Sequence, residues 1–387
     1  MGELKFEPTF EIAEAERLLA ALVSTPSTQT DRFEADPAIH AYLHDTVAGL
    51  AGELGLVPEF DSGGNMVVRA GAPGSRRVLV FGYAMTHPAN RMADPFEPAA
   101  SNRDGGRRWL RGRGAAEQKA AVAAALLTAG ALAREPGLAG ELVVCVSTAG
   151  ETGRHDAARA FMADHGRPSF DWALIALGTG NRINLGNKGR VDVLVTVHGR
   201  AAHSSTPWAG VDAIAGAVEV MRRLGGVELR GSHPELGRPT LTVTSIRSRP
   251  EATHTVQDEV RLTLDRRLLP GDDPEAALAK IREAVAGIEP WTVEVEAGPY
   301  MFPSEVEPDA PVVRLLQSAA GAPLGTTWSH GAIDAGYFNQ EGVPAVMFGP
   351  GEPDMFHTDD ERVALDDVVF AAEVMTRAAW RHLGTSP

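Results

Sequence analysis

The sequence predicts a two-domain α/β protein in which a smaller α+β domain interrupts a larger one. Three observations predict it. Short, β-rich apolar runs without alternation at residues 77–81, 142–146, 173–177 and 345–348 suit strands buried on both faces of a sheet. An Ala-rich helical stretch at 115–134 lies between the first two, giving the β-α-β alternation of a sheet covered by helices on both sides. From about Gly189 to Pro299 the texture changes to alternating strands with helices among them, as in an inserted domain with an open sheet. The expected layout is a larger domain from 1–188 and 300–387, with 189–299 as the insert. A chain of 387 residues suits two domains.

In chain order, residues 12–22 carry helical apolar spacing with acidic residues near the start. A second helix is expected around 38–54. Strand 77–81, helix 115–134 and strands 142–146 and 173–177 follow. Within the insert, 191–197 and 259–265 alternate as half-exposed strands do, and 211–224 and 274–288 read as helices. The chain then returns to the larger domain for strand 345–348 and a final helix at 366–383.

Apolar residues make up 44% and charged residues 22%, a globular balance. The formal net charge of −15 opposes phosphate backbones, so nucleic acid and anionic membrane are poor partners. The one cysteine, Cys145, excludes an internal disulfide and sits in an apolar run as a core thiol. No apolar stretch approaches the roughly 18 residues of a membrane helix. The first residues lack a signal-peptide hydrophobic region, and the expected compartment is the cytoplasm.

Ligands of open α/β sheets bind beyond the carboxyl ends of the strands. After strand 77–81 comes Gly82-Tyr83-Ala84-Met85-Thr86-His87, and the Ala-rich helix opens at Gly112-Arg113-Gly114-Ala115-Ala116-Glu117. Gly150-Glu151 follows strand 142–146, and Gly349-Pro350-Gly351 and then His357 follow strand 345–348. Glu117, Glu151 and His357 would meet at one edge, a three-ligand set for a divalent ion. Blander roles stand beside this one. Glu117 could be a helix-start acid favoured by the dipole, Glu151 a loop acid and His357 a surface imidazole. Tyr83 could be packing, a proton donor or a substrate contact.

Several phrases in this order resemble the two-zinc aminoacylase/carboxypeptidase family, of the acetylornithine deacetylase, succinyl-diaminopimelate desuccinylase and glutamate carboxypeptidase type. They are Gly112-Arg113-Gly114, Gly199-Arg200-Ala201-Ala202-His203-Ser204-Ser205 with Pro207 and Gly210-Val211-Asp212, Asp265-Arg266-Arg267, and Gly349-Pro350-Gly351 with His357-Thr358 and Glu361. The resemblance runs over nearly the whole chain. It implies a metallopeptidase-like catalytic domain with a doubly covered mixed sheet, interrupted by a lid that usually dimerises. It also implies departures. Tyr83 and Met85 stand where the family carries His and Asp, Glu117 replaces a bridging Asp, Gly150 replaces the general-base Glu, and Leu177 replaces an acidic ligand. One metal position keeps all its ligand types, as Glu117, Glu151 and His357.

The family's five carboxylates balance two zinc ions, whereas Glu117 and Glu151 balance one divalent ion. Two ions would leave uncompensated charge in a low-dielectric site. The expected cofactor is therefore none or one divalent metal, zinc foremost. His203 matches a lid histidine that polarises the substrate carbonyl in a neighbouring subunit. His254, Arg267 and His330 are the other substrate-side candidates. His87 and His155 are extra histidines beside the motifs, read as bystanders, with replacement ligand or base as the alternative. The leading expectation is an enzyme turned from two-zinc hydrolysis to metal-independent acid–base chemistry on an amino-acid-derived, biosynthetic intermediate, run by Glu117, Glu151, Tyr83 and His357. Elimination, intramolecular substitution or cyclisation, and isomerisation are the reaction types. The alternatives are a one-metal amidohydrolase of N-acyl amino acids or peptides, and a non-catalytic binding subunit. Expected partners are a small amino-acid-like substrate, a carrier protein or partner subunit as an alternative, and a second copy bound through the lid.

Overall fold

The computed structural model describes residues 6–384. They form two compact units, one of residues up to 186, 305–328 and from 334 on, the other of 187–304 and 329–333. The sequence expectation drew these boundaries at 188/189 and 299/300.

The larger unit is built on a mixed sheet. Its strands run in the order Glu59–Phe60, Met66–Gly71, Gly140–Ser147, Arg76–Tyr83, Trp172–Ala176, Ala345–Met347, Ile183–Asn187 and Ser304–Glu305, and Thr326–Ser329 also pairs with Ile183–Asn187. The four central strands are parallel, with Tyr83 opposite Ser147, Phe81 opposite Ile175 and Met347 opposite Ile175. These are the unalternating apolar runs read from the sequence, and both faces are indeed covered. Val78 and Val80 point into a core shared with the Ile12–Ser24, Ala120–Ala133 and Leu365–Leu383 helices. On the other face, Phe81 packs edge-on against Phe161 and Phe338, with centroids 5.9 and 5.2 Å away. Each such side chain contributes about 1.5–3 kcal/mol on burial. The Ala120–Ala133 helix is buried nearly all round, which explains why it is apolar on every face.

The smaller unit is a four-stranded antiparallel sheet in the order Thr240–Arg249, Glu259–Leu268, Gly189–His198 and Thr292–Met301. Val191, Val193, Val195 and Val197 face helices Ala213–Leu224 and Pro274–Val285, while the alternate residues face away. Both helices start at aspartate caps: Asp212 accepts from Ile214 N and Asp273 from Glu275 N. Among the described residues no helix is long and apolar enough to cross a membrane.

Candidate active site

Three chain segments converge where the parallel strands of the larger unit end. Glu117 lies in the single π-helical turn Ala115–Lys119 that opens the Ala-rich helix. The turn is entered through Gly114, whose φ of 77° and whose missing Cβ (Thr86 Cγ2 would be 2.5 Å away) both require glycine. Glu151 sits in the loop after Gly140–Ser147, and His357 in the loop after Ala345–Met347 with a left-handed φ of 61°.

His357 Nε2 lies 3.1 Å from Glu117 Oε2 and 3.6 Å from Glu151 Oε1. One ligand atom from each of the three residues falls within 4.8 Å of the others. A tetrahedral ion with bonds of about 2.0–2.1 Å holds its ligand atoms roughly 3.3 Å apart. The two carboxylates and imidazole therefore suit one divalent ion in both spacing and charge. Hydrogen bonds to Glu117 and then Glu151 push the His357 imidazole up to about 10. Burial pushes the Glu117 carboxyl up to about 7, opposed by its bond to His357 and helped by the neighbouring Glu151 charge. The causes differ, burial for the acid and the two carboxylates for the imidazole, but both shifts reflect acids held close together with little water, where a cation between them is favoured. Glu151 is further held by Gln118 Nε2, which donates to its Oε1 at 2.8 Å, and by Gln29 Nε2, which donates to its backbone carbonyl at 2.9 Å.

The other sequence candidates fall elsewhere. Tyr83 is 5% exposed, and its hydroxyl donates to Asp334 Oδ2 at 2.8 Å. Burial and the Asp334 charge hold the phenol protonated, well above its usual range. His155, also buried, binds the other Asp334 oxygen through Nδ1 at 2.6 Å. Neither Tyr83 nor His155 joins the three-residue group. The His87 ring stacks on that of His357 with centroids 3.8 Å apart, and its Nδ1 meets the Pro88 carbonyl at 3.0 Å. Leu177 is buried and offers no ligand. At Gly150 a Cβ would stand 2.2 Å from the Met85 carbonyl oxygen, so this backbone admits no side chain there.

His203, His254, Arg267 and His330 belong to the smaller unit. The His203 and His254 rings lie parallel with centroids 6.5 Å apart. His203 Nδ1 accepts from the Ser205 backbone N–H at 3.1 Å, which leaves the proton of the neutral ring on the exposed Nε2. The Arg267 guanidinium grips both Asp265 oxygens at 2.7 and 2.9 Å and reaches the His330 carbonyl at 3.4 Å, which is a structural engagement. Sequence reasoning did not single out Asp334, Gln118 or Gln29. Asp334 was visible only as part of a Gly-rich phrase, and no local signal marked Gln29.

Residues 86–381 match the sequence profile of peptidase family M20/M25/M40. A Mycobacterium tuberculosis protein provisionally named a succinyl-diaminopimelate desuccinylase is 27% identical over 371 residues, covering 93% of this chain and 96% of that protein. A Pyrobaculum aerophilum protein provisionally named a [LysW]-lysine/[LysW]-ornithine hydrolase is 28% identical, covering 86% and 89%. Among solved structures, an M20 family metallo-carboxypeptidase from Sulfolobus solfataricus superposes with a TM-score of 0.76 at 16% identity, over 95% of this chain and 98% of that one.

Proposed function

The chain belongs to peptidase family M20/M25/M40, and from that premise we propose that it is a one-metal amidohydrolase of amino-acid derivatives. The observation that carries the proposal is the convergence of Glu117, Glu151 and His357 at ion-binding spacing. The relatives bear hydrolase names, and none of the three comparisons supports the metal-independent chemistry that the sequence suggested. That chemistry passes from leading expectation to an outcome of the test.

Glu117, Glu151 and His357 would hold the ion, and their net −2 matches a divalent charge. When bound, such an ion polarises a carbonyl and eases deprotonation of water. The reaction adds water across the amide: the bond between acyl carbon and nitrogen breaks, a carboxylate forms and the amine leaves with a proton. His203, in the smaller unit, presents an exposed Nε2–H donor. Gly150 contributes no base, and a positioned base is worth roughly 10²–10⁴-fold, so turnover is expected to be modest. The substrate class is an N-acylated or peptide-linked amino acid. The name of the Pyrobaculum relative supports extending it to an amino acid attached to a carrier protein. A second copy is the proposed partner of the smaller unit. Its edge strand Thr240–Arg249 and its exposed Ile214, Val218 and Ile246 support this.

The test combines metal content with amine release from N-succinyl and N-acetyl amino acids and short peptides. About one zinc or manganese per chain is expected, with release that needs it. Glu151→Gln removes one of three ligands. Taking about 10–16 kcal/mol for a four-ligand zinc site, one ligand is worth roughly 3 kcal/mol, so the Kd should rise on the order of 10²-fold. Full turnover by metal-stripped protein would restore the acid–base reading instead.

A further inference from the structure

The ligands Glu117 and His357 come from segments 240 positions apart, and one buried carboxylate ties those segments together. Glu361 is fully buried, four positions after His357. Its Oε1 accepts from the backbone N–H groups of Ala116 and Glu117 at 3.0 and 3.1 Å. Its Oε2 accepts from Gly114 N at 2.9 Å and from Arg113 Nη1 at 2.8 Å. The Glu361 backbone carbonyl accepts from Gly112 N at 3.0 Å. The buried Arg113 balances the charge and also donates to the Ala89 carbonyl at 3.1 Å.

The first N–H groups of a helix have no partner within the helix. Here a carboxylate from the His357 loop fills three of them. A neutral side chain of the same shape could not, because an amide presents N–H to one of the two N–H pairs. His357 itself holds a left-handed φ, which costs a non-glycine residue about 1 kcal/mol or more and persists only where the surroundings fix it.

We infer that Glu361 is the positioning residue of the metal site: it locks the backbone of Glu117 against the loop that carries His357, and so sets the spacing of the ligands. This inference rests on the one-ion reading above. An ion bound by separately anchored ligands pays for gathering them. Ligands already gathered by Glu361 do not incur that cost, and partners of this kind are worth roughly 10–100-fold in metal affinity.

The experiment is zinc titration of the full chain against a chromophoric chelator, in wild type, Glu361→Gln, Glu361→Asp and Val374→Ala. Val374 is a buried core position in the final helix that makes none of the bonds described at the site, and it controls for general destabilisation. Glu361→Gln should bind zinc 10–100-fold more weakly and lose hydrogen-exchange protection at the Gly114, Ala116 and Glu117 amides. Glu361→Asp retains the charge and should recover part of the affinity. Val374→Ala should lose thermal stability but keep wild-type affinity. Wild-type affinity in Glu361→Gln, or an equal loss in Val374→Ala, overturns the inference while leaving the one-ion reading intact. If Glu361→Gln does not fold, Glu361→Asp is judged alone, and wild-type affinity there overturns it equally. A wild-type chain that takes up no zinc refutes the one-ion reading itself, and the inference falls with it.

Discussion

Replacing Tyr83 by phenylalanine separates two roles for that residue by sign and size. The structure places the phenol in a buried bond to Asp334, so Tyr83→Phe removes one hydrogen bond to a carboxylate and leaves the ring packing on Phe81 unchanged. A hydrogen bond to a charged group contributes about 1.5–3 kcal/mol, and the low end is expected because Asp334 keeps its bond to His155. A loss of about 2 kcal/mol lowers the melting temperature of a domain this large by roughly 4–8 °C. Calorimetry and urea titration of the larger unit's transition measure it. Turnover per folded molecule should stay within about twofold, since the hydroxyl is committed away from the ligand group. Unchanged stability with a tenfold or greater loss of turnover would refute this reasoning, because the phenol would then be acting on substrate.

Gly150→Ala forces a Cβ against the Met85 carbonyl, and strain of that kind should destabilise by roughly 2–4 kcal/mol, read as a fall in the urea midpoint. An unshifted midpoint would show that the two loops are farther apart than described. Lys119→Met removes an ammonium that donates to the Leu22 and Thr25 carbonyls at 2.8 and 2.9 Å. One buried and one part-buried acceptor lose their partner, and a loss of about 2–4 kcal/mol is expected by the same titration; a neutral result would mean that water replaces the ammonium. Val218→Glu with Ile246→Asp should convert a dimer to a monomer in sedimentation velocity, leaving the fold of the smaller unit intact by circular dichroism. A wild-type chain that sediments as a monomer would refute the proposed partner.

The parts of the fold legible in the sequence are those whose burial is uniform. Leu142 to Val146 had to be a fully covered strand because no polar residue interrupts it, and the alternation of Val191 to Val197 had to face one core. The strand Thr240–Arg249 escaped notice because it lies at an edge with exposure on both sides. The sheet of Ala99–Arg103, Arg107–Arg111 and Arg362–Ala364 escaped because its residues are largely polar and its third strand pairs with the second across some 250 positions. The ligand group was legible because each ligand follows a strand or opens a helix, and parallel strands deliver their ends to one edge. The links from Tyr83 to Asp334 and from Glu361 to Glu117 were not. They join loops remote in sequence and follow no period.

The departures at Tyr83, Met85, Gly150 and Leu177 read as coordinated in the sequence, and the structure gives a physical link between those at 83–85 and 150. Ala84 N donates to the Ser147 carbonyl and Met85 N to that of Ala149, so the 83–85 and 147–151 segments run as close neighbours. The Met85 carbonyl occupies the place where any side chain at Gly150 would begin, so an acid at 150 cannot return without moving that segment. Tyr83 is fixed in turn by Asp334, which also holds His155. An imidazole placed at 83 alone would leave Asp334 one donor short and would find no acid at Leu177 to share an ion. The one-ion reading therefore predicts that neither Tyr83→His nor Leu177→Asp alone raises the metal content above about one per chain. Elemental analysis showing two ions in either variant would mean that the second position is only missing ligands, and that the packing around it was never an obstacle.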